Sequence, residues 1–243
     1  MAPRSLYLAA LSCMPLALVN AADCAPGGNF DLSYWSLQLP TGDGSMDTIR
    51  SKDLQGCDGY SDEHFYMDGD AMVLTAPGNP DETGCVTSGG STHCRTELRE
   101  VLPDTGKNAA WSPKGTNVLK VAMKVVQADD GSHGTAIGQV FASKPVAEMY
   151  YSRDGKIVVG VKPDPNSNQI VTKLATVPLG TEFDYEMSYS GDALSITING
   201  EVTELDTYDW DSPDCYFKAG NYNQGKSGDE SEVHISSIEV IHE

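Results

Sequence analysis

The feature that most limits how this chain can fold is a series of short segments with apolar residues at every second position. Ala71 to Ala76, Val118 to Val126, Ala147 to Arg153, Lys156 to Lys162, Phe183 to Tyr189, Ala193 to Asn199 and Val233 to Ile241 all show it, and Phe30 to Leu39 alternates around Trp35. A period of two sends successive side chains to opposite faces of a strand, so each segment has one face for a core. Asp154-Gly155, Gly191-Asp192 and Asn199-Gly200 stand where hairpins must reverse, because the turns that match strand twist need positive φ. Helical spacing is not the dominant pattern. Many short strands with Gly-rich turns predict an all-β chain, a sandwich or jelly roll. The polar stretch from Thr41 to Asp70 reads as loops or short helical turns over a cleft.

The 243 residues, 40% of them hydrophobic, suffice for one sizeable core. Arg4 followed by the apolar run Leu6 to Val19, with Val19-Asn20-Ala21 behind it, has the form of a signal peptide. Residues 1–21 are therefore expected to be removed, leaving 22–243 as one domain without repeats or linkers. The apolar run is too short to span a bilayer comfortably, so the expectation is a secreted, extracellular chain away from the membrane. Of six cysteines, Cys13 falls in the leader and five remain, an odd number. Cys85 and Cys94 flank a Gly/Ser/Thr-rich loop and are the first disulfide expected. Cys24 with Cys57 is a second, and Cys215 is left over. The absence of a Cys-x-x-Cys pair speaks against a zinc ribbon, and no metal site is predicted.

The formal charge is −19, and loss of Arg4 with the leader makes it −20. Such a surface repels nucleic acid, and repels any acidic polymer at long range. A site for an acidic ligand must then gather cations in one place. Solubility alone is the plainer account of most of the acidity.

Three segments carry chemistry. In His93-Cys94-Arg95-Thr96-Glu97-Leu98-Arg99-Glu100, alternation puts Arg95, Glu97 and Arg99 on one face, with His93 joining if the strand reaches that far. Two arginines on a shared face grip carboxylates through paired hydrogen bonds, and Glu97 between them would hold both. An exposed cross-strand ion pair is the plainer alternative. In Tyr216-Phe217-Lys218-Ala219-Gly220-Asn221-Tyr222-Asn223-Gln224, the same rule aligns Tyr216, Lys218, Gly220, Tyr222 and Gln224. Gly220 would leave room for a ligand at the backbone. Alone, this segment reads equally as the aromatic face of a sugar-binding groove. The third segment, Gln139-Val140-Phe141, is by itself a plain strand fragment.

Taken in order, these segments resemble polysaccharide lyase family 7, the alginate lyases. That family carries Arg-Thr/Ser-Glu-Leu/Val-Arg, then Gln-Ile/Val-His, then Tyr-Phe-Lys-x-Gly-x-Tyr-Asn-Gln. The opening strand Phe30 to Pro40 is also similar to the family's first, so the resemblance spans nearly the whole mature chain. It implies a β-jelly roll sandwich of two antiparallel sheets with a concave substrate groove, and cleavage of a polyuronate by β-elimination. It implies that Tyr222 handles the proton and that Arg95 and Gln139 neutralise the substrate carboxylate. Arg99, Lys218, Asn223 and Gln224 would line the groove. An anionic polysaccharide is the implied partner, no cofactor is required, and a monomer is expected.

One position departs from the family. Phe141 stands where the Gln-x-His segment ends in histidine. In guluronate the C5 proton and the O4 leaving group lie on opposite faces of the ring, which demands a base and an acid on two sides. In β-linked D-mannuronate and D-glucuronate they share a face, and one tyrosine can do both jobs. The expectation is a lyase of glucuronan or polymannuronate with poor action on polyguluronate. His93 or His64 would have to supply any replacement imidazole. Two competing readings are a non-catalytic polyuronate-binding module and a jelly-roll glycoside hydrolase. The hydrolase needs two carboxylic acids across the scissile bond, whereas Glu97 and Glu100 point to opposite sides of their strand.

Overall fold

A computed structural model describes residues 24–207 and 213–243; the expected leader, Cys13 included, lies outside the described residues. Fifteen strands form two antiparallel sheets among these residues. The first sheet contains β1 (Trp35–Gln38), β2 (Thr48–Ile49), β5 (Arg95–Glu100), β7 (Thr135–Phe141), β8 (Pro145–Tyr151), β9 (Lys156–Val161), β10 (Ile170–Thr176) and β14 (Tyr216–Tyr222). Its order is β10-β9-β8-β7-β14-β5-β1-β2. The second contains β3 (Phe65–Asp68), β4 (Ala71–Ala76), β6 (Asn117–Gln127), β11 (Phe183–Ser190), β12 (Ala193–Ile198), β13 (Glu201–Leu205) and β15 (Ser231–His242). Its order is β13-β12-β11-β6-β15-β4-β3.

The sheets differ in how their sequences meet solvent. In the second, β6 and β11 alternate buried with more exposed residues, the pattern of a sheet with one wet face. In the first, β5, β7 and β14 are buried almost throughout, although one face of each is polar. That face is covered by its own long side chains and by loops, which makes it the floor of a groove. Between the sheets lies one apolar core that includes Trp35, Leu37, Leu98, Ile137, Phe217, Leu74, Met123 and Met187.

Turn chemistry follows the sequence reading. Asn199 and Gly200 both have positive φ (50° and 83°), as do Gly191 and Asp192 (59° and 62°), so each pair fits a type I′ hairpin. Both expected disulfides form, Cys24–Cys57 and Cys85–Cys94, and Cys215 is a buried free thiol. The strand expected over Phe30 to Leu39 is shorter, because turns occupy the chain up to Tyr34. Between Thr41 and Asp70 lie a single 3-10 turn, Ser51–Asp53, and the short strands β2 and β3. Among the described residues no helix is long and apolar enough to cross a membrane.

Candidate active site

The groove over the first sheet has a volume of about 790 Å³. Its floor is built from cross-strand rows. One row runs Arg95, Tyr222, Ala136, Tyr150; the next functional row runs Arg99, Lys218, Gln139, Glu148; a third pairs Tyr216 with Phe141. Register converts residues far apart in sequence into lateral neighbours, since directly opposed side chains lie only about 5 Å apart.

Glu97 sits between the first two rows, opposite Gly220, and is 1% exposed. Its carboxylate accepts hydrogen bonds from Arg95 Nη1 at 2.9 Å, from Gln139 Nε2 and from Lys218 Nζ. Burial pushes this carboxyl up, but the charges of Lys218 and Arg95, with the Lys218 and Gln139 hydrogen bonds, outweigh it and hold it below the usual range. Burial pulls the Lys218 ammonium down to about 8, against the upward pull of Glu97. Arg99 lies over the Tyr216 ring, its guanidinium carbon 4.4 Å from the centroid. The floor thus holds three cations, Arg95, Arg99 and Lys218, around one anion, Glu97, and keeps a net positive charge for an anionic ligand. The Nε–H groups of Arg95 and Arg99 are buried without a protein partner among the described residues.

Tyr222 stands at the edge of this floor. The Arg95 guanidinium stacks on its ring at 3.6 Å, and its hydroxyl lies 2.9 Å from Ser91 Oγ. Phe141 packs against Tyr216 with ring centroids 5.3 Å apart, and Lys218 Nζ lies 5.6 Å from its ring. The position that the sequence comparison assigns to an imidazole is therefore an apolar aromatic wall.

Arg95, Arg99, Gln139, Lys218, Tyr222 and Gln224 all line the groove. Five expectations change. Glu97 joins Arg95 to Lys218, not the two arginines to each other, because Lys218 is delivered beside it by β14. Asn223 does not line the groove: period two turns it inward. Its amide donates to Ala76 O at 3.0 Å and Asp229 O at 3.1 Å, tying the two sheets together. Gly220 has no role in admitting a ligand. Its φ is 135°, and an added Cβ would lie 2.9 Å from both Leu74 Cδ2 and Thr96 O, so the position faces packed protein. The first strand of the arginine segment starts at Arg95, which leaves His93 in the preceding loop. The His93 ring meets Tyr222 edge-on at 6.2 Å, half-buried, and burial lowers its proton affinity. His64 is not in the groove; its Nδ1 lies 3.1 Å from Thr75 Oγ1, on β4 of the other sheet.

The sequence reading passed over the groove's far wall. Tyr150 donates to Glu148 at 2.5 Å, Gln169 donates to Glu148 at 2.9 Å, and His133 packs 5.6 Å from Tyr150. Burial raises the proton affinity of the Glu148 carboxyl, against the hydrogen bonds from Tyr150 and Gln169 that lower it. Alternation along Ala147 to Arg153 already sets Glu148 and Tyr150 on one face. A carboxylate there was the available signal.

Comparison with known proteins agrees with this geometry. The sequence model of the alginate lyase family matches residues 30–242. An alginate lyase of Klebsiella pneumoniae is 28% identical, over 93% of this chain and 92% of its own. The crystal structure of alginate lyase A1-II′, a member of polysaccharide lyase family 7, superposes with a TM-score of 0.78. Its identity is 31%, and the match covers 90% of this chain and 98% of that one. A variant of A1-II′ in complex with the substrate GGMG superposes with a TM-score of 0.79 at 30% identity, covering 92% and 97%.

Proposed function

Because the chain belongs to polysaccharide lyase family 7, the alginate lyases, we propose that it cleaves β-1,4-linked D-uronic acid polymers by syn β-elimination. Membership makes it a polysaccharide lyase acting on polyuronates. The stereochemistry and the substrate, glucuronan or polymannuronate, are our reading. The departure from the family at Phe141 tilts it toward glucuronan. Export of the mature enzyme accords with two disulfides, which persist in oxidising compartments.

The observation that carries the reading is Tyr222, its ring under the Arg95 guanidinium, beside a cationic floor on which Phe141 stands where the family has histidine. The substrate carboxylate rests on Arg95, Arg99, Lys218 and the Gln139 amide. These donors stabilise the charge that moves onto the carboxylate as the weakly acidic C5 proton leaves. The Tyr222 phenolate takes that proton. The C5–H electron pair becomes the C4=C5 bond, the C4–O4 bond breaks, and the new phenol returns its proton to O4. One oxygen completes both transfers only when the C5 proton and O4 share a ring face. Guluronate, with these groups on opposite faces, is therefore a poor substrate.

A glycoside hydrolase is disfavoured by the floor's carboxyls. Glu97 is buried with both oxygens engaged by Arg95, Lys218 and Gln139, which leaves Glu148 as the one acid lining the groove among the described residues, where hydrolysis needs two. The test is ultraviolet absorbance of the conjugated double bond during digestion of glucuronan, polymannuronate and polyguluronate. Absorbance should rise with the first or second and little with the third. Tyr222→Phe should lower turnover by about 10²–10⁴-fold while polymer binding persists. Reducing ends without absorbance would mean hydrolysis, and binding without either would mean an inactive module. Full turnover by the Phe variant would remove the mechanism.

A further inference from the structure

We propose that Ser91 is a positioning residue for Tyr222, presenting its hydroxyl proton to the phenol oxygen; the inference rests on the reading of Tyr222 given above. Ser91 is held in a short loop closed by the Cys85–Cys94 disulfide. Within it, Ser91 N–H donates to Ser88 O at 2.9 Å, closing a turn whose third residue, Gly90, has φ 86°. A left-handed residue at that place is the demand that glycine meets. Thr87 Oγ1 donates to Ser91 O at 3.0 Å, and Val86 N–H donates to Pro40 O at 2.7 Å. The loop is thus braced on both sides of the serine.

The direction of the Ser91 hydrogen bond follows from counting. A serine hydroxyl has one proton and two lone pairs. The His93 N–H donates to Ser91 Oγ at 3.1 Å, and Arg95 Nη2 donates at 3.2 Å, which fills both lone pairs. The single proton is left for Tyr222 Oη at 2.9 Å, or for His93 O at 3.1 Å. Ser91 therefore cannot accept a hydrogen bond from the phenol. This has two consequences for the reaction. The phenolate receives a donor whose polarity is reinforced by the Arg95 charge behind it. The phenol, once formed, must aim its O–H away from Ser91 and into the groove, where O4 leaves. Ser91 keeps its own proton throughout, so no proton passes through it.

The experiment compares Ser91→Ala and Ser91→Thr with the unaltered chain, both disulfides intact, on whichever uronate polymer that chain cleaves. For Ser91→Ala, kcat near neutral pH should fall about ten- to hundred-fold, the worth of a charge-assisted hydrogen bond. KM should stay within about twofold, and the acidic limb of the kcat profile should move up by about one pH unit. Ser91→Thr, which keeps a hydroxyl, should recover most of both losses. A tyrosinate absorbance titration, taken as the difference from Tyr222→Phe, should move the same way in the alanine variant. An unchanged pH profile in Ser91→Ala, a rise in KM with kcat intact, or a loss that threonine does not restore would overturn the proposal. If Tyr222→Phe is inactive while Ser91→Ala is normal, only the role of Ser91 falls. If Tyr222→Phe is active, the reading of Tyr222 falls with it.

Discussion

Glu97 organises more of the site than a place inside a charged strand segment indicates. Three donors converge on it, and one of them, Lys218, is itself 3% exposed. Removing one member of such a buried pair leaves an uncompensated charge, which costs about 3–5 kcal/mol. A charge-preserving change is the better probe. The ammonium of Lys218 titrates near 8 because burial disfavours its charged form. Its charge is present below that pH and is lost as pH rises through it, so the floor weakens its hold on a carboxylate on the alkaline side. In the unaltered enzyme kcat/KM, which reports the free enzyme, should decline above about pH 8. Lys218→Arg, protonated at all these pH values, should carry the plateau at least about one unit higher. A decline at the same pH in both enzymes would take Lys218 out of substrate binding. Phe141 gives the second residue-scale prediction. Phe141→His places an imidazole between Tyr216 and Lys218, across the groove from Tyr222. Turnover of polyguluronate should then rise at least about tenfold, measured by ultraviolet absorbance against the unaltered enzyme. No gain would show that Phe141 does not limit the substrate.

Among the elements, β14 carries the heaviest demands. It pairs with β5 on one side and β7 on the other, and its register against β7 shifts between Ala219 and Tyr222. Gly220 lies within that irregularity, in a conformation that side chains rarely adopt and with no space for one. Gly220→Ala should destabilise the fold by about 1–3 kcal/mol, read as a lower urea midpoint with an unchanged slope. A midpoint equal to that of the parent would show that the strand tolerates a Cβ there. The same scale explains which strands were legible. Seven of the alternating segments match strands to within two residues at each end, because a period of two can be read along each. The strands β10 and β13 lie at the sheet edges, with largely exposed residues and apolar side chains such as Ile170, Val171 and Val202 facing solvent. An edge strand takes its place from backbone pairing, which leaves little alternation to read. The two-residue β2 and four-residue β3 are too short for a period to show.

At the scale of the molecule, a chain of charge −19 binds a polyanion by local exception. Five of its 16 lysines and arginines, Arg95, Arg99, Lys144, Lys162 and Lys218, line the groove, against two carboxyls, Glu148 on its wall and Glu97 in its floor. Beyond about 8 Å at physiological ionic strength the surrounding acidity is screened, while partly buried cations in the groove are screened less. The dependence of kcat/KM on salt should therefore rise from about 10 mM to about 150 mM and fall toward 1 M, as first the repulsion and then the attraction is damped. A fall from the lowest salt onward would mean that the groove field dominates at all distances. The sequence by itself determined the all-β class, the hairpin turns, the Cys85–Cys94 pair and the identities of Arg95, Gln139, Lys218 and Tyr222 as groove residues. Each of these follows from local period, turn stereochemistry or a motif read in one stretch. Only the tertiary structure decided that Glu97 serves Lys218, that Asn223 ties the sheets, that Glu148 and Tyr150 form the far wall, and that Ser91 meets the phenol. Those contacts join residues brought together by strand register and by a braced loop, and neither leaves a periodic trace along the chain.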